Sequence, residues 1–260
     1  MTLPMLKYPR TPHLTGSHRQ GDDVALPLVA IERLDHEGLV IEEKVDGANA
    51  GIWFDSEGAL RLQSRGHVLR GGPREWHFDR FKAWAARHEP WLRERLGRRF
   101  VLFGEWLHAT HTVFYDGLPS FFLEFDVFDH ERGRFLTTAS RRELLAGGPV
   151  VPVAVVQAGS ARASAGTFLD ESARSAYQTE RWRENLAAAL AEVDPRAAQI
   201  LRAQLDARPA REGLYFKIED DEAVIERFKW VRPSFTQVVQ DADTHWMTRP
   251  RLYNRLDGER

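Results

Sequence analysis

The chain has 260 residues, a formal net charge of −2, no cysteine and 43% hydrophobic residues. The missing cysteines exclude disulfides, thiolate metal sites and cysteine nucleophiles, and no apolar stretch approaches the roughly 20 residues that span a membrane. The near-zero charge gives no global basic field for nucleic acid, although a local groove can still be basic. The amino terminus has no basic segment followed by an apolar one, so we expect no secretory signal, no membrane partner and a cytoplasmic location.

The first half of the chain is predicted to be mainly strands. A short strand, 39–45, ends at Asp46-Gly47, and 49–64 is predicted to be a hairpin with a polar, glycine-containing turn. The segment 78–96 has helical spacing. Strands rich in β-branched and aromatic residues follow at 99–107 and 121–129.

The second half mixes helices with strands. A capping-box pattern at 140–143 is predicted to open a short helix that the glycines at 147–148 close, and 150–156 is predicted to be a strand. The segment 167–208 is predicted to be helical, with a break at Asp194-Pro195. A final hairpin, 213–231, is followed by a polar, arginine-rich tail.

These elements predict one domain, 1–260, because no repeat or low-complexity linker divides the chain. The predicted class is α+β, with largely antiparallel sheets and flanking helices. We interpret the helical insertion at about 167–208 as a solvated cap rather than a dedicated RNA platform.

Lysine is rare in this chain. Of 36 lysine and arginine residues, only five are lysine, namely Lys7, Lys44, Lys82, Lys217 and Lys229. Because arginine cannot deprotonate to act as a nucleophile, the few lysines are the first candidates for chemistry. We interpret Lys7 and Lys82 as remnants of a composition bias.

One lysine stands where a predicted strand ends in a tight turn. Lys44-Val45-Asp46-Gly47 presents the amine from a rigid edge, and the glycine permits close approach of a ligand to the backbone. This pattern is a weak signal by itself, since it also marks ordinary surface turns.

Further short motifs follow in order along the chain. They are Ser64-Arg65-Gly66, Phe103-Gly104-Glu105-Trp106, Phe122-Leu123-Glu124-Phe125-Asp126, Glu212-Gly213-Leu214-Tyr215-Phe216-Lys217 and Arg227-Phe228-Lys229-Trp230-Val231-Arg232. With the lysine motif, this series resembles motifs I, Ia, III, IIIa, IV and V of the covalent nucleotidyltransferases, the superfamily of ATP-dependent DNA and RNA ligases and mRNA-capping enzymes. The resemblance covers most of the chain and implies the ligase adenylation domain fold.

Within the superfamily, the sequence resembles RNA ligases of the phage and RNA-editing type. Asn49 follows the lysine by five residues, Arg227 and Lys229 resemble a paired-cation motif, and the resemblance of segment 8–14 to the N-terminal lead of small RNA ligases implies that it folds near the nucleotide. DNA ligases and capping enzymes carry an OB domain after the last of these motifs. Only about 25 residues follow Phe235 here, so we expect no OB domain.

The resemblance implies a covalent mechanism. Lys44 attacks the α-phosphorus of ATP and forms lysyl-AMP, AMP passes to an RNA 5′-phosphate, and a 3′-hydroxyl displaces AMP to seal the strand. The amine must be neutral to attack, so its pKa has to fall from about 10.4. We expect Lys217, Lys229 and a divalent cation, Mg²⁺ or Mn²⁺, to lower that pKa. The predicted catalytic residues are therefore Lys44, Lys217 and Lys229.

The resemblance also implies roles for other side chains. Glu105 would bind the ribose hydroxyls, Arg65 would meet the ribose or the acceptor phosphate, and Phe122 would stack on adenine. Strand alternation supports this choice, because it places Phe122 on one face with Glu124 and Asp126.

The same resemblance implies Glu212 and Asp46 as metal-binding residues, with Glu212 also orienting the lysine. The predicted nucleotide-binding residues are Glu43, Asp46, Gly47, Asn49, Arg65, Glu105, Phe122, Glu212 and Arg227.

The expected partners are RNA ends with a 5′-phosphate and a 3′-hydroxyl, and an end-healing kinase or phosphatase. Two alternatives stay open. One is an enzyme that adenylylates 5′ ends, or a ligase subunit, that needs a partner for sealing. The other is a catalytically inactive nucleotide- or RNA-binding module, against which the retained Glu105 and Glu212 argue. His108 and His111 have no further ligand at recognisable spacing and do not predict zinc.

Overall fold

The structure is a computed structural model that describes residues 5–19, 21–161, 165–235 and 250–258. In chain order, its strands are β1 (His13–Leu14), β2 (Leu28–Val29), β3 (Leu39–Lys44), β4 (Ala48–Phe54), β5 (Leu60–Ser64), β6 (Phe100–Trp106), β7 (Phe122–Asp129), β8 (Arg134–Phe135), β9 (Val151–Pro152), β10 (Val155–Ala158), β11 (Gly213–Glu219) and β12 (Val224–Val231). Its α-helices are α1 (Asp79–Arg87), α2 (Glu89–Leu96), α3 (Thr138–Leu144), α4 (Ala165–Phe168), α5 (Trp182–Ala191) and α6 (Pro195–Gln204). Short 3₁₀ helices occupy Gly21–Ala25, Ile31–Leu34 and Pro73–Phe78.

The strands form two six-stranded sheets. The first sheet has the order β10-β3-β11-β12-β1-β2, and the second has the order β5-β4-β6-β7-β8 with β9 beside β7. Most neighbouring strands are antiparallel, while β1 runs parallel to β12 and β2, and β9 runs parallel to β7. The predicted α+β class with largely antiparallel sheets is confirmed.

Alternation along the central strands of the first sheet separates an apolar face from a polar one. Ile41, Phe216 and Phe228 are fully buried on the outer face, where the segment around α4 covers them. On the inner face, Tyr215 pairs in register with Glu42 of β3 and with Lys229 of β12. The polar face is therefore turned toward the second sheet.

The second sheet is buried on its outer face by α1 and α2. Ile52 and Leu102 of the sheet pack there with Phe81 of α1 and Leu92 of α2. Between the two sheets, a smaller cluster centres on Tyr8, whose ring lies 5.0 Å from that of Phe103. Because this inner layer is only partly apolar, it leaves room for a polar cavity.

Several predicted boundaries are shifted. The predicted helix 78–96 is two helices, since Pro90 has no N–H and begins a new helix rather than continuing α1. The helix predicted to open at 140 begins at Thr138, with Thr137 as its cap, and the backbone N–H of Ser140 donates to the Thr137 hydroxyl at 3.1 Å. The predicted strand 150–156 is divided into β9 and β10, which join different sheets.

The insertion before the last hairpin contains α4, α5 and α6, and the predicted break at its centre is confirmed. The Asp194 carboxylate accepts hydrogen bonds from the backbone N–H groups of Arg196 and Ala197, both at 3.0 Å, and so caps α6. The indole N–H of Trp182 in α5 donates to the carbonyl of Phe114 at 2.8 Å. The helices thus cover the 107–118 loop. Within the described ranges, no helix is long and apolar enough to cross a membrane.

Candidate active site

A cavity of about 290 Å³ opens between the two sheets, at the end of β3 where Lys44 lies. Its volume is near the lower end of the range for small-molecule sites. Three cationic side chains line it, Lys44, Arg65 and Lys229, together with six carboxylates, Asp23, Glu42, Glu43, Asp46, Glu105 and Glu212. The carboxylates of Glu42 and Glu43 bond other side chains and backbone. The other four still outnumber the three cations, which makes the cavity attractive to a cation.

Lys44 faces the cavity because it is the last residue of β3 on the inner face of the first sheet. Its Nζ donates to Oε2 of Glu212 at 2.7 Å, and 24% of the lysine side chain is exposed, against 5% for Glu212. Glu212 stands directly before β11, whose Gly213 is the register partner of Lys44. Strand pairing therefore brings the lysine motif, 44–47, next to the motif at 212–217.

The charges around Lys44 oppose the pKa that the sequence predicts. Burial alone would lower the pKa of Lys44, but Glu212, Glu105 and Asp46 together raise it above its ordinary value. Burial also raises the pKa of Glu105 to about 8 and that of Glu212 to about 7, against the opposing effect of Lys44. The side chains of the protein alone therefore do not lower the pKa of Lys44, because carboxylates are the nearest charges.

Asp46 and Gly47 hold the turn after the lysine against neighbouring backbone. The Asp46 carboxylate accepts hydrogen bonds from the N–H groups of Thr112 and Val113, at 2.7 and 2.9 Å, and its own N–H donates to the Tyr115 hydroxyl at 2.8 Å. A Cβ on Gly47 would lie 2.7 Å from the carbonyl oxygen of Trp106. The glycine thus permits the close approach of β6 to this turn. From the sequence, we expected it to permit the close approach of a ligand.

Asn49, Glu105 and Arg65 line the cavity, as the sequence predicts. Asn49 of β4 is the register partner of Glu105 of β6. The side-chain Oδ1 of Asn49 is buried and has no hydrogen-bond partner among the described residues. Arg65 is exposed at the rim. The orphaned oxygen of Asn49 marks a position where a ligand donor would be satisfied.

Lys229 lies across the cavity from the second sheet and contacts the N-terminal segment. Its Nζ is 2.5 Å from Oδ2 of Asp23, and the same oxygen lies 3.2 Å from Nε2 of His13. Burial lowers the pKa of Lys229, and Lys44 lowers it further. Tyr8, Thr11 and His13 also line the cavity, which agrees with the expectation that segment 8–14 folds near the site.

Two predicted cations point elsewhere. Lys217 is fully buried, with Nζ 2.8 Å from Glu42 and 3.0 Å from Asp126, and Arg227 lies 3.1 Å from Asp126. With Arg141, which bonds both Glu42 and Glu124, they form an ion cluster deeper between the sheets. Neither cation lines the cavity. The predicted direct roles of Lys217 and Arg227 at the nucleotide are therefore corrected to interior pairing, because desolvated carboxylates hold them.

We call this group the interior ion cluster. It consists of Arg141, Lys217, Arg227, Glu42, Glu124 and Asp126.

The predicted adenine-stacking residue also lies outside the cavity. Phe122 is fully buried on the outer face of the second sheet, 5.3 Å from the rings of Phe81 and Trp84. The pairing of β6 with β7 explains the error. A bulge in β7, opposite Phe103 and Gly104 of β6, shifts the register by one residue and reverses the alternation that the sequence argument assumed along β7. The aromatic ring that lines the cavity from this strand is Phe125.

Glu43 lies on the opposite face of β3 from Lys44. Its carboxylate accepts hydrogen bonds from the Ser175 hydroxyl and from the N–H of Ala176, and burial raises its pKa to about 7. The carboxylate is thus directed at the insertion, although the residue borders the cavity. The carboxylate of Glu43 is therefore not in position for the predicted contact with the nucleotide.

Sequence reasoning missed Asp23, Phe125 and Tyr215 as cavity residues. A signal exists for Tyr215, because alternation places it on the same face of β11 as Gly213, the register partner of Lys44. No local pattern identifies Asp23, which reaches Lys229 only because β1 and β12 pair. Among the described residues, no group of three or more His, Asp or Glu side chains has the arrangement of a complete metal site.

The fold and site define an α+β protein that presents a lysine amine at a polar cavity between two sheets. A profile of the RNA ligase family matches residues 37–231, well over half of the chain. The chain therefore belongs to the RNA ligase family, and the predicted membership of the covalent nucleotidyltransferase superfamily is confirmed.

Solved structures of RNA ligase from Naegleria gruberi are similar to the chain. A mutant with ATP and Mn has 18% identity and a TM-score of 0.49, covering 78% of this chain and 52% of its own. A structure with PPi has 19% identity and a TM-score of 0.47, covering 77% and 51%. The chain thus spans about half the length of these ligases. Among curated proteins, none matches the sequence.

Proposed function

We propose that the protein is an ATP-dependent RNA ligase that joins 5′-phosphate and 3′-hydroxyl ends through lysyl-AMP on Lys44. The observation that carries this proposal is the amine of Lys44, held 2.7 Å from the Glu212 carboxylate and partly exposed in a cavity that Glu105, Asn49 and Lys229 also line. A nucleotide- or RNA-binding module would need neither a nucleophile at this point nor a carboxylate to orient it.

In the first step, Nζ of Lys44 forms a bond to the α-phosphorus of ATP while the bond to pyrophosphate breaks. The amine gives up a proton, and Glu212 is the carboxylate in direct contact with it. Before a cation occupies the site, the pKa of Glu212 is about 7, which makes it a better proton acceptor than an ordinary glutamate. Lys229, across the cavity, is placed to stabilise negative charge on the phosphates.

A divalent cation fits the donors that the cavity supplies. The carboxylates of Glu105 and Glu212 lie near Lys44 without enough fixed cations to balance them, and Mg²⁺ prefers few carboxylates combined with phosphate oxygens. We infer that Glu212 is its principal ligand in the protein, whereas hydrogen bonds to backbone already engage one oxygen of Asp46. When bound, the cation would neutralise phosphate charge and weaken the carboxylate effect on the lysine pKa.

Nucleotide and RNA contacts can be assigned around this centre. Asn49 and Glu105 occupy the wall beside Lys44, where the ribose hydroxyls would meet them, and Phe125 supplies the ring for adenine in place of Phe122. Arg65 at the rim is assigned to the RNA 5′-phosphate. Replacing Arg65 by alanine should slow sealing more than lysine adenylylation, and equal loss of both would remove this assignment.

The test is incubation with α-labelled ATP or GTP and Mg²⁺, followed by denaturing electrophoresis and intact mass. We expect a band that is heavier by one AMP, is formed from ATP, and is absent in Lys44→Ala. Lys7→Ala is the matched control, because Lys7 is exposed, and it should label normally. Labelling of Lys44→Ala at the normal rate would refute the proposal.

Sealing needs its own measurement. A 5′-phosphorylated RNA mixed with the labelled protein should become adenylylated and then joined to a 3′-hydroxyl end. Accumulation of adenylylated RNA without joining would favour the alternative of an adenylylating subunit, which needs a partner for sealing.

A further inference from the structure

Basic and aromatic side chains form a stripe that leads from the rim of the cavity over the 3₁₀ helix Pro73–Phe78 to the described part of the C-terminal segment, 250–258. We call it the aromatic–basic stripe, and its members are Arg65, Arg70, Trp76, His108, Arg251 and Tyr253.

Two stacked pairs form the body of the stripe. The guanidinium carbon of Arg251 lies 3.8 Å from the centre of the Trp76 ring. The rings of His108 and Tyr253 are 4.5 Å apart, at an angle of 33°. Trp106 connects the pairs, because its N–H donates to the carbonyl of the residue after Trp76 at 2.8 Å and its ring lies 6.1 Å from His108.

The stripe reaches the cavity through the loop that carries Arg65 and Arg70. Arg65 lines the rim, and the next turn is anchored to the 3₁₀ helix, since the Glu75 carboxylate accepts the N–H of Arg70 at 3.1 Å. A strand with its end at Lys44 would therefore meet these side chains next.

The C-terminal part of the stripe has a fixed support. The N–H of Thr110 donates to the carbonyl of Leu252 at 2.9 Å, and the N–H of Asn254 donates to the carbonyl of His108 at 3.1 Å. Asn254 is buried and accepts the Thr110 hydroxyl at 2.9 Å. Tyr253, between these anchors, is nevertheless 40% exposed. An aromatic ring is thus presented to solvent from a rigid backbone.

The charge of the stripe favours a polyanion. Arg65, Arg70 and Arg251 are exposed, and the Glu75 carboxylate is neutralised by Lys82 at 2.9 Å. Exposed arginines beside aromatic rings bind single-stranded nucleic acid, because phosphates meet the cations and bases stack on the rings. A protein partner would require a larger apolar centre than these rings provide.

We propose that the aromatic–basic stripe binds the single-stranded RNA that carries the end to be joined. The proposal rests on the proposed function and adds the surface that grips the strand. It assigns Tyr253 to base stacking and Arg251 to a phosphate, with Trp76 holding the guanidinium in place.

The test measures binding of a fluorescent, 5′-phosphorylated, single-stranded oligoribonucleotide to the full chain without ATP, over a series of salt concentrations. Tyr253→Ala should weaken binding roughly 5- to 100-fold, the range for loss of one stacked base. Arg251→Ala should reduce the slope of log affinity against log salt by about 0.7, the value for one phosphate contact on a single strand. Formation of lysyl-AMP from ATP alone should stay within about twofold of the wild type in both variants.

Arg93→Ala is the matched control, since Arg93 lies on α2, outside the stripe, with its guanidinium carbon 4.6 Å from the ring of Phe54 on β4. It should change neither binding nor the salt slope. Unchanged RNA binding in both stripe variants would overturn the proposal and leave the surface to a protein partner. Loss of lysyl-AMP together with RNA binding would also overturn it, because the effect would then lie in the catalytic centre. A wild type that binds RNA through the stripe but forms no lysyl-AMP would refute the proposed function alone.

Discussion

Two groups of charged side chains lie between the same two sheets, and they differ in balance and exposure. The interior ion cluster pairs three cations with three carboxylates, and its Lys217, Glu42 and Asp126 are fully buried. The cavity has more carboxylates than cations, and Lys44 there is 24% exposed.

The same strands supply both groups. Glu42 and Lys44 stand two residues apart on β3 and share a face, yet Glu42 pairs with Lys217 and Arg141 while Lys44 is directed into the cavity. Desolvated charges are stable only when they are fully paired, so the interior ion cluster is suited to holding the sheets together. An unbalanced group open to ligand can change its protonation and its partners, which a reaction requires.

Replacing Lys217 is the strongest test of this difference between the interior ion cluster and the cavity. Lys217→Met should lower the free energy of unfolding by about 3–5 kcal/mol, because it leaves Glu42 and Asp126 buried beside one cation fewer. Urea unfolding measures the change. Lys82→Met, which removes a partly exposed lysine paired with Glu75, should cost under about 1 kcal/mol. A stable Lys217→Met protein that had lost only lysyl-AMP formation would return Lys217 to the predicted catalytic role.

Lys229 should behave in the opposite way. Lys229→Ala is expected to slow lysyl-AMP formation by about 10²–10³-fold, the usual effect of removing one group that stabilises transition-state charge. Its stability should change little, because its partner Asp23 is 21% exposed and can be solvated. Single-turnover labelling and urea unfolding on the same preparation separate the two effects. A loss of stability as large as that for Lys217→Met would place Lys229 with the structural charges.

Two phenylalanines of β7 allow a similar comparison for the adenine base, because one lines the cavity and the other lies outside it. Phe125→Leu should raise the Kd for ATP about tenfold, since base–aromatic stacking contributes roughly 1–3 kcal/mol. Phe122→Leu should leave that Kd unchanged and lower stability by about 1 kcal/mol, as expected for a hydrophobic replacement in a packed core. Calorimetric titration with ATP measures both. If Phe122→Leu gave the larger change in Kd, the bulge would not decide which ring faces the nucleotide.

A separate test of the cavity charges is the dependence of stability on pH. Burial raises the pKa of Glu105 to about 8, so between about pH 5 and 8 the folded chain retains a proton that the unfolded chain releases near pH 4.3. Stability of the wild type should therefore fall relative to Glu105→Gln as pH rises through this window, and the difference should level off above about pH 8. Urea unfolding at three pH values with a chelator measures it. Parallel curves for the two proteins would show that Glu105 ionises normally.

Much of the site could be predicted because its residues lie near the ends of strands, and the pairing of these strands brings the ends together. Lys44, Glu212, Glu105 and Asn49 lie at or beside the ends of strands whose alternation was evident in the sequence, and all of them line the cavity. Phe122 was assigned wrongly because a single-residue bulge reverses the face of part of a strand, and no sequence pattern marks that bulge. Boundaries of helices failed by one or two residues where a proline or a capping threonine decided them.

The sequence by itself determined the α+β class and the order of the motifs and identified Lys44 as the candidate nucleophile, because residue type and period 2 alternation are local properties of the chain. The tertiary structure alone decided which lysines face the cavity, what raises the pKa of Lys44, and how Asp23 reaches Lys229. These depend on distances between residues far apart in the chain, and a charge acts through distance and burial rather than through position in the sequence.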